Sequence, residues 1–158
     1  MSATMSAKLL GELLLGKGFV STGQLDRALQ EQRTTGELLG ALLVRKGWVK
    51  EADMLKMLGE QMGMPYVVLA DQAVDWTLAG RFSSALLTDH TCFPLHMDGE
   101  SLIAAIADPL DAWAVSKLEK EASRRGRKLH LVLARTAEIR AAVAQAKQQA
   151  IQSLRPPA

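Results

Sequence analysis

Gln32 and Gln61 stand at the same place in two copies of one segment, and Gly11 and Gly40 stand at the same place near the start of each copy. Glutamine offers a donor and an acceptor on one amide, so a matched pair suits binding rather than bond breaking; the plainer alternative is two solvated residues near helix ends. A glycine inside a helical pattern costs about 0.5–1 kcal/mol relative to alanine. Carrying that cost twice points to close approach by a helix or a ligand. Residues fit for covalent or metal chemistry are scattered by comparison. The chain has no G-x-x-x-x-G-K-[ST] loop, which excludes ATP hydrolysis of the P-loop kind, and no G-x-S-x-G elbow or Cys–His pair at a catalytic spacing. His90, His96 and His130 lack an i, i+4 partner or a carboxylate pattern, so they read as exposed or satisfied histidines and not as metal ligands. The single cysteine, Cys92, reads as a small buried apolar residue beside Phe93 and excludes an internal disulfide. A non-enzymatic chain without metal or resident cofactor is the expectation.

The elements that must position these residues follow from the duplication. Residues 9–32 and 38–61 align without a gap across the five-residue spacer 33–37. Their 11 identities are Leu9/Leu38, Leu10/Leu39, Gly11/Gly40, Leu13/Leu42, Leu14/Leu43, Lys17/Lys46, Gly18/Gly47, Val20/Val49, Leu29/Leu58, Glu31/Glu60 and Gln32/Gln61. A unit this short cannot bury its apolar face alone, so the copies are expected to pack together, related by a rough two-fold that suits a pseudo-symmetric ligand. In each copy leucines at one-face helical spacing lead to a glycine that ends the helix in a left-handed cap, Gly18 and Gly47. Ser21 with Gln24 forms a capping box for the second helix of copy one, and Thr34 with Glu37 a capping box before Leu38. Four short helices are therefore expected over 6–64. The leucines need no ligand to explain them, since amphipathic helices carry them for packing alone.

After Gly63 and Pro65 the periodicity changes. Tyr66–Leu69 reads as a strand and 82–90 as a short helix. Residues 92–97 and 102–106 read as a hairpin turned at Asp98-Gly99. Asp108-Pro109 reads as the capped start of a helix running through Trp113, Val115 and Leu118 to the basic run Arg124, Arg125, Arg127 and Lys128; capping alone is a sufficient role for Asp108. Leu129–Ala134 is a last strand, and Thr136 is expected to cap a terminal helix with Ile139, Val143, Ala146 and Ala150 near heptad spacing, stopped by Pro156-Pro157. The expected fold class is α+β: an N-terminal four-helix module of two tandem helical hairpins, then a small α/β module with a three- to four-stranded sheet. The division expected is a disordered 1–5, a duplicated helical subdomain 6–64, a small α/β subdomain 65–136, and a C-terminal helix and tail 137–158.

Composition narrows the partners. Of 158 residues 48% are hydrophobic and 23% charged, with a net charge of +2, which suits a self-folding globular protein and lacks the concentrated positive field of a nucleic-acid binder. The basic run has no interleaved aromatics, so it reads as a solvated face or a docking patch and not as a DNA or RNA groove. No apolar run reaches a membrane span and no secretory signal stands at the start, so no direct membrane insertion and a cytoplasmic location are expected.

The doubled LG-x-x-L frame with its glycine, its L-x(3)-L-x-x-Q ending and the spacer, followed by Met64-Pro65-Tyr66-Val67 and Ala107-Asp108-Pro109-Leu110-Asp111, resembles the N-terminal domain of the type II secretion and type IV pilus extension ATPases. The resemblance covers residues 8 to about 145. It implies that the repeats line a groove for one cyclic di-GMP molecule, itself two-fold symmetric. The positions implied are Leu9, Leu10, Gly11, Leu14, Leu25, Leu29 and Gln32 in copy one, and Leu38, Leu39, Gly40, Leu43, Met54, Leu58 and Gln61 in copy two. Asp108 would close over a guanine. Leucine faces would take the base and ribose surfaces, glycines would let backbone amides approach phosphate, and Gln or Asp would read a guanine edge. Ligand-binding members begin each repeat with arginine, whereas this chain has Leu9 and Leu38 there; Lys8, one position earlier, lacks the planar fork of arginine. Two functions follow: a non-catalytic regulatory module that binds cyclic di-GMP, or a protein-docking module of the same fold serving secretion, pilus or motility machinery, with nucleotide binding lost.

Overall fold

The computed structural model describes the backbone of residues 3–154 and the side chains of residues 8–154. In chain order the elements are α1 (Ala3–Gly16), α2 (Thr22–Thr35), α3 (Leu39–Arg45), α4 (Glu51–Met62), α5 (Ser84–Asp89), β1 (Cys92–Asp98), β2 (Ser101–Ile106), α6 (Ala112–Arg124), β3 (Lys128–Leu133) and α7 (Thr136–Ser153). Short 3-10 turns lie at Leu69–Asp71 and Ala79–Arg81. The class is α+β with a three-stranded sheet, as its sequence implied. The chain divides into two compact units, Met1–Met57 and Leu58–Ala158, with the boundary inside α4. The helix α1 starts within the stretch expected to be disordered, and the Pro156-Pro157 stop lies outside the described residues.

In the first unit the duplication is visible bond by bond. Lys17 N–H donates to Leu13 O and Lys46 N–H to Leu42 O, both at 3.0 Å. Phe19 N–H reaches Leu14 O at 3.0 Å and Trp48 N–H reaches Leu43 O at 3.1 Å. These six-to-one bonds are Schellman closures, and they require the left-handed backbone that Gly18 (φ 75°) and Gly47 (φ 73°) supply. Burial repeats as well: Leu14 and Leu43 are inaccessible, and Leu10, Leu39, Val20 and Val49 are nearly so. The copies touch where a side chain at Gly40 would meet Leu10 of copy one, whose Cδ2 would lie 3.3 Å from an added Cβ.

One cap is as expected and one is not. Ser21 Oγ accepts from Gln24 N–H at 3.1 Å while Ser21 N–H donates to Gln24 Oε1 at 3.0 Å. The box at Thr34 and Glu37 does not form, because α2 continues through Thr35 to a left-handed Gly36 and Thr34 Oγ1 turns back on Gln30 O. Glu37 instead holds Arg45, with oxygen to nitrogen distances of 3.1 and 2.9 Å.

In the second unit β2 is central, antiparallel to β1 through the Asp98–Gly99 turn and parallel to β3 through the crossover helix α6. Consecutive buried residues Ala104, Ala105 and Ile106 show that both faces are covered. Helix α6 packs on β2 and β3, while α5 and α7 pack on β1. Ile139 of α7 is fully buried, so that helix belongs to this core. Pro94 lies on the edge strand β1 beside an irregularity of register, a position where a missing N–H costs least.

Three local expectations are corrected here. The expected strand Tyr66–Leu69 contributes only a bridge from Tyr66 to Leu133; the chain then leaves the sheet, with Leu69 N–H donating to Glu138 Oε1 at 3.3 Å. Helix α6 is capped by Asp111, whose Oδ1 accepts Ala114 N–H at 3.1 Å, so Asp108-Pro109 precedes the helix as a turn. Thr136 is the first residue of α7 and Arg135 its cap position, without a side-chain cap.

Gly59 and Gly23 should respond oppositely to alanine. A Cβ at Gly59 would overlap Met64 O, backbone that cannot swing aside, whereas a Cβ at Gly23 approaches only Ser21 Oγ at 4.0 Å. Gly59→Ala is expected to destabilise by about 1–3 kcal/mol, and Gly23→Ala to stabilise by about 0.5–1 kcal/mol. Urea unfolding of the two variants checks both signs.

Candidate functional site

The leucine positions of the repeats separate into two kinds. Leu10, Leu14, Leu39, Leu43, Met54 and Leu58 are at most 7% exposed and form core. Leu9 and Leu38, at the same place in their copies, are 41% and 49% exposed, and packing does not account for their apolar character. Leu25, Leu29 and Gln32 on α2 are half-buried, and Gln61 near the end of α4 is exposed. Leu9, Leu25, Leu29, Gln32, Leu38 and Gln61 are thus the reachable candidate positions within the repeats.

The in-helix glycines have a packing reason. An added Cβ at Gly11 would lie 3.1 Å from Leu25 Cδ1, and at Gly40 it would lie 3.0 Å from Met54 Sδ. Each first helix therefore accepts the apolar residue of its own second helix at its glycine. Close approach by a helix, one of the two alternatives the sequence leaves open, is observed.

An electrostatic clip joins the copies. Glu31 at the end of the first copy takes Lys46 at 2.7 Å and Arg45 at 3.1 Å from the second. The hydrogen bonds from Lys46 and Arg45 hold its carboxyl below the ordinary range, so this contribution is present at neutral pH and is lost as pH falls through the depressed value. Lys46 Nζ also lies 5.2 Å from the centre of the Trp48 ring.

Asp108 sits in the second unit, on the turn between β2 and α6. Its Oδ1 accepts Leu110 N–H at 2.9 Å, and its carbonyl accepts Asp111 N–H at 3.2 Å. Burial pushes its carboxyl above the ordinary value, against the opposing Leu110 bond and with a further push from Asp111. A raised folded value means that ionisation at neutral pH opposes folding, and that stability is gained as pH falls through that value. Asp108→Asn, which keeps an acceptor for Leu110, is therefore expected to melt no lower than wild type at neutral pH. That advantage should shrink to nothing by about pH 4. Paired thermal melts at the two pH values check it.

Beside this turn lies a pair that sequence spacing hides. His90 Nδ1 donates to Asp111 Oδ2 at 2.6 Å across 21 residues of chain, and the His90 ring stacks on Trp113 with centroids 4.2 Å apart. Only the return of the hairpin brings these residues together. His90 is thus a satisfied histidine, and among the described residues no group of three or more His, Cys, Asp or Glu is placed to hold a metal ion. Cys92 is fully buried, with burial pushing its thiol up to about 12, so it is inert as a nucleophile. In the basic run Arg124 and Arg125 both pair with Glu121, at 3.2 and 2.8 Å, and Arg125 covers the Phe82 ring at 4.6 Å.

A doubled helical hairpin followed by a small unit with a three-stranded mixed sheet makes the chain an α+β module. The sequence pattern of the MshEN domain matches residues 62–153, more than half of the chain, and the chain belongs to that family. It is 31% identical over 110 residues to the type IV pilus assembly ATPase PilB of Myxococcus xanthus, a match covering 70% of this chain and 19% of the ATPase. The match thus spans about a fifth of that relative's length. Its structure is similar to that of MshE with cdg, at 26% identity and a TM-score of 0.73 over 87% of this chain and 97% of that one. It is similar also to the N-terminal domain of XpsE, at 27% identity and a TM-score of 0.67 over 92% and 96% of the two chains. The resemblance to the N-terminal domains of secretion and pilus ATPases is thereby shown. No helix among the described residues is long and apolar enough to cross a membrane.

Proposed function

We propose that this chain is a non-catalytic regulatory module that binds cyclic di-GMP on its repeats and signals the bound state to secretion or pilus machinery in the cytoplasm. The observation that carries the reading is the bond-for-bond repetition of the helix ends in the two copies, which suits a ligand with two equivalent halves. The likeness to MshE, solved with cdg, supports the same ligand. Gln32 and Gln61 supply the amide edges, and the exposed rims at Leu9 and Leu38, with Leu25 and Leu29, supply apolar contact. Asp108 would read a guanine edge. A ligand that favours one arrangement of the molecule over another shifts the population toward it, and a partner can sense that shift.

Calorimetric titration with cyclic di-GMP tests the proposal. One-to-one saturation is expected, weakened by about 0.5–1.5 kcal/mol for each of Gln32→Ala and Gln61→Ala, with additivity because the half-sites are separate. A specific observation favours a second reading: leucine, not arginine, occupies both exposed positions 9 and 38. An apolar exposed pair suits protein docking. Absence of heat at high ligand concentration would leave docking as the function.

A further inference from the structure

The turn carrying Asp108 is held at both ends by one corner of the chain, His90–Thr91. At one end Thr91 O accepts Ala107 N–H at 3.1 Å. At the other His90 Nδ1 donates to Asp111 Oδ2 at 2.6 Å. Asp111 passes the constraint on in two directions, capping α6 through Ala114 N–H at 3.1 Å and donating its own N–H to Asp108 O at 3.2 Å. The corner itself is strained: Thr91 has φ 44°, the only positive φ outside glycine among the described residues. A β-branched residue persists in that region only where its surroundings over-determine it. The stack of His90 on Trp113 and the buried Cys92 that follows supply that surrounding.

We infer that His90 is a positioning residue, which through Asp111 presets the Asp108 turn for ligand. A carboxylate that must meet a guanine edge gains affinity when its turn is ordered before binding, because less freedom is lost in the complex. The donor at Nδ1 carries this role, and the ring is secondary. The functional half of the inference rests on the cyclic di-GMP reading; the structural half does not.

Two substitutions separate donor from ring. His90→Asn keeps a nitrogen donor near Nδ1 and removes the stack on Trp113, whereas His90→Phe keeps an aromatic ring and removes the donor. Amide hydrogen exchange of the ligand-free protein, followed by NMR, reads the turn at Leu110, whose N–H is held by Asp108. His90→Phe is expected to speed Leu110 exchange about tenfold and to weaken cyclic di-GMP by a similar factor, while His90→Asn stays near wild type in both. Asp111→Ser is the second variant if His90→Phe does not fold: its hydroxyl can keep the cap on Ala114 but has no second oxygen to accept from Nδ1, so Leu110 exchange should rise while Ala114 stays protected. Unchanged Leu110 exchange in His90→Phe, or equal acceleration in His90→Phe and His90→Asn, would overturn the inference. Failure of wild type to bind cyclic di-GMP would overturn the ligand reading and the functional half, while the ligand-free exchange still decides whether His90 holds the turn.

Discussion

Leu9→Arg combined with Leu38→Arg is expected to tighten cyclic di-GMP binding by about 1–3 kcal/mol per arginine, roughly five- to a hundred-and-fiftyfold each. Arginine adds a planar fork of donors that leucine lacks, and it suits both a guanine edge and a phosphate. Neither substitution removes core, because the two leucines are 41% and 49% exposed. Leu9 lies within α1, where arginine is nearly as good a helix former as leucine, and Leu38 stands at the cap position of α3 with no side-chain bond to lose. Thermal stability should therefore stay within about 0.5 kcal/mol of wild type, so that a gain in affinity is attributable to the new contacts. Calorimetry of the single and double variants measures it. Unchanged affinity in a folded double variant would remove this position from the site and strengthen the docking reading.

Phe93→Ala is expected to cost about 3–5 kcal/mol, a large part of the stability of a domain this size. Phe93 is fully buried on β1, and its ring meets Trp76 in a tilted pair with centroids 5.8 Å apart. Truncation leaves a cavity that close-packed surroundings fill only in part. Urea unfolding followed by circular dichroism should show a lower midpoint with an unchanged slope. Ile151→Ala, on the exposed end of α7, should change stability by no more than about 0.5 kcal/mol. A comparable loss in both would mean that Phe93 does not anchor the sheet.

Much of the local structure was legible because its causes are local. Gly18 and Gly47 announce helix ends because a left-handed residue strains anything with a Cβ. Ser21 with Gln24, and Asp98-Gly99, announce a cap and a turn through bonds made within four residues. Where the local signal had competitors, tertiary contacts decided. Thr34 with Glu37 satisfies the pattern of a capping box, but Gly36 offers a better end to α2 and Arg45 a better partner to Glu37. Tyr66–Leu69 has strand propensity, but Glu138 takes the Leu69 amide. Asp108 and Asp111 both satisfy the preference for a carboxylate cap, and the pairing of Asp111 with His90 accompanies the choice of Asp111.

What the sequence by itself determined is the duplication, the class of fold and the absence of a P-loop, since identity at a fixed offset and periodicity of apolar residues are properties of the chain alone. Only the tertiary structure decided which repeat positions are core and which are surface. It buries Leu10 and Leu39 while exposing their neighbours Leu9 and Leu38, and it assigns Gly11 and Gly40 to the approach of Leu25 and Met54. The His90–Asp111 pair belongs to the same class of fact. A hydrogen bond across 21 residues depends on which carboxylate caps α6 once the hairpin has returned, and the sequence pointed to Asp108 where the structure uses Asp111.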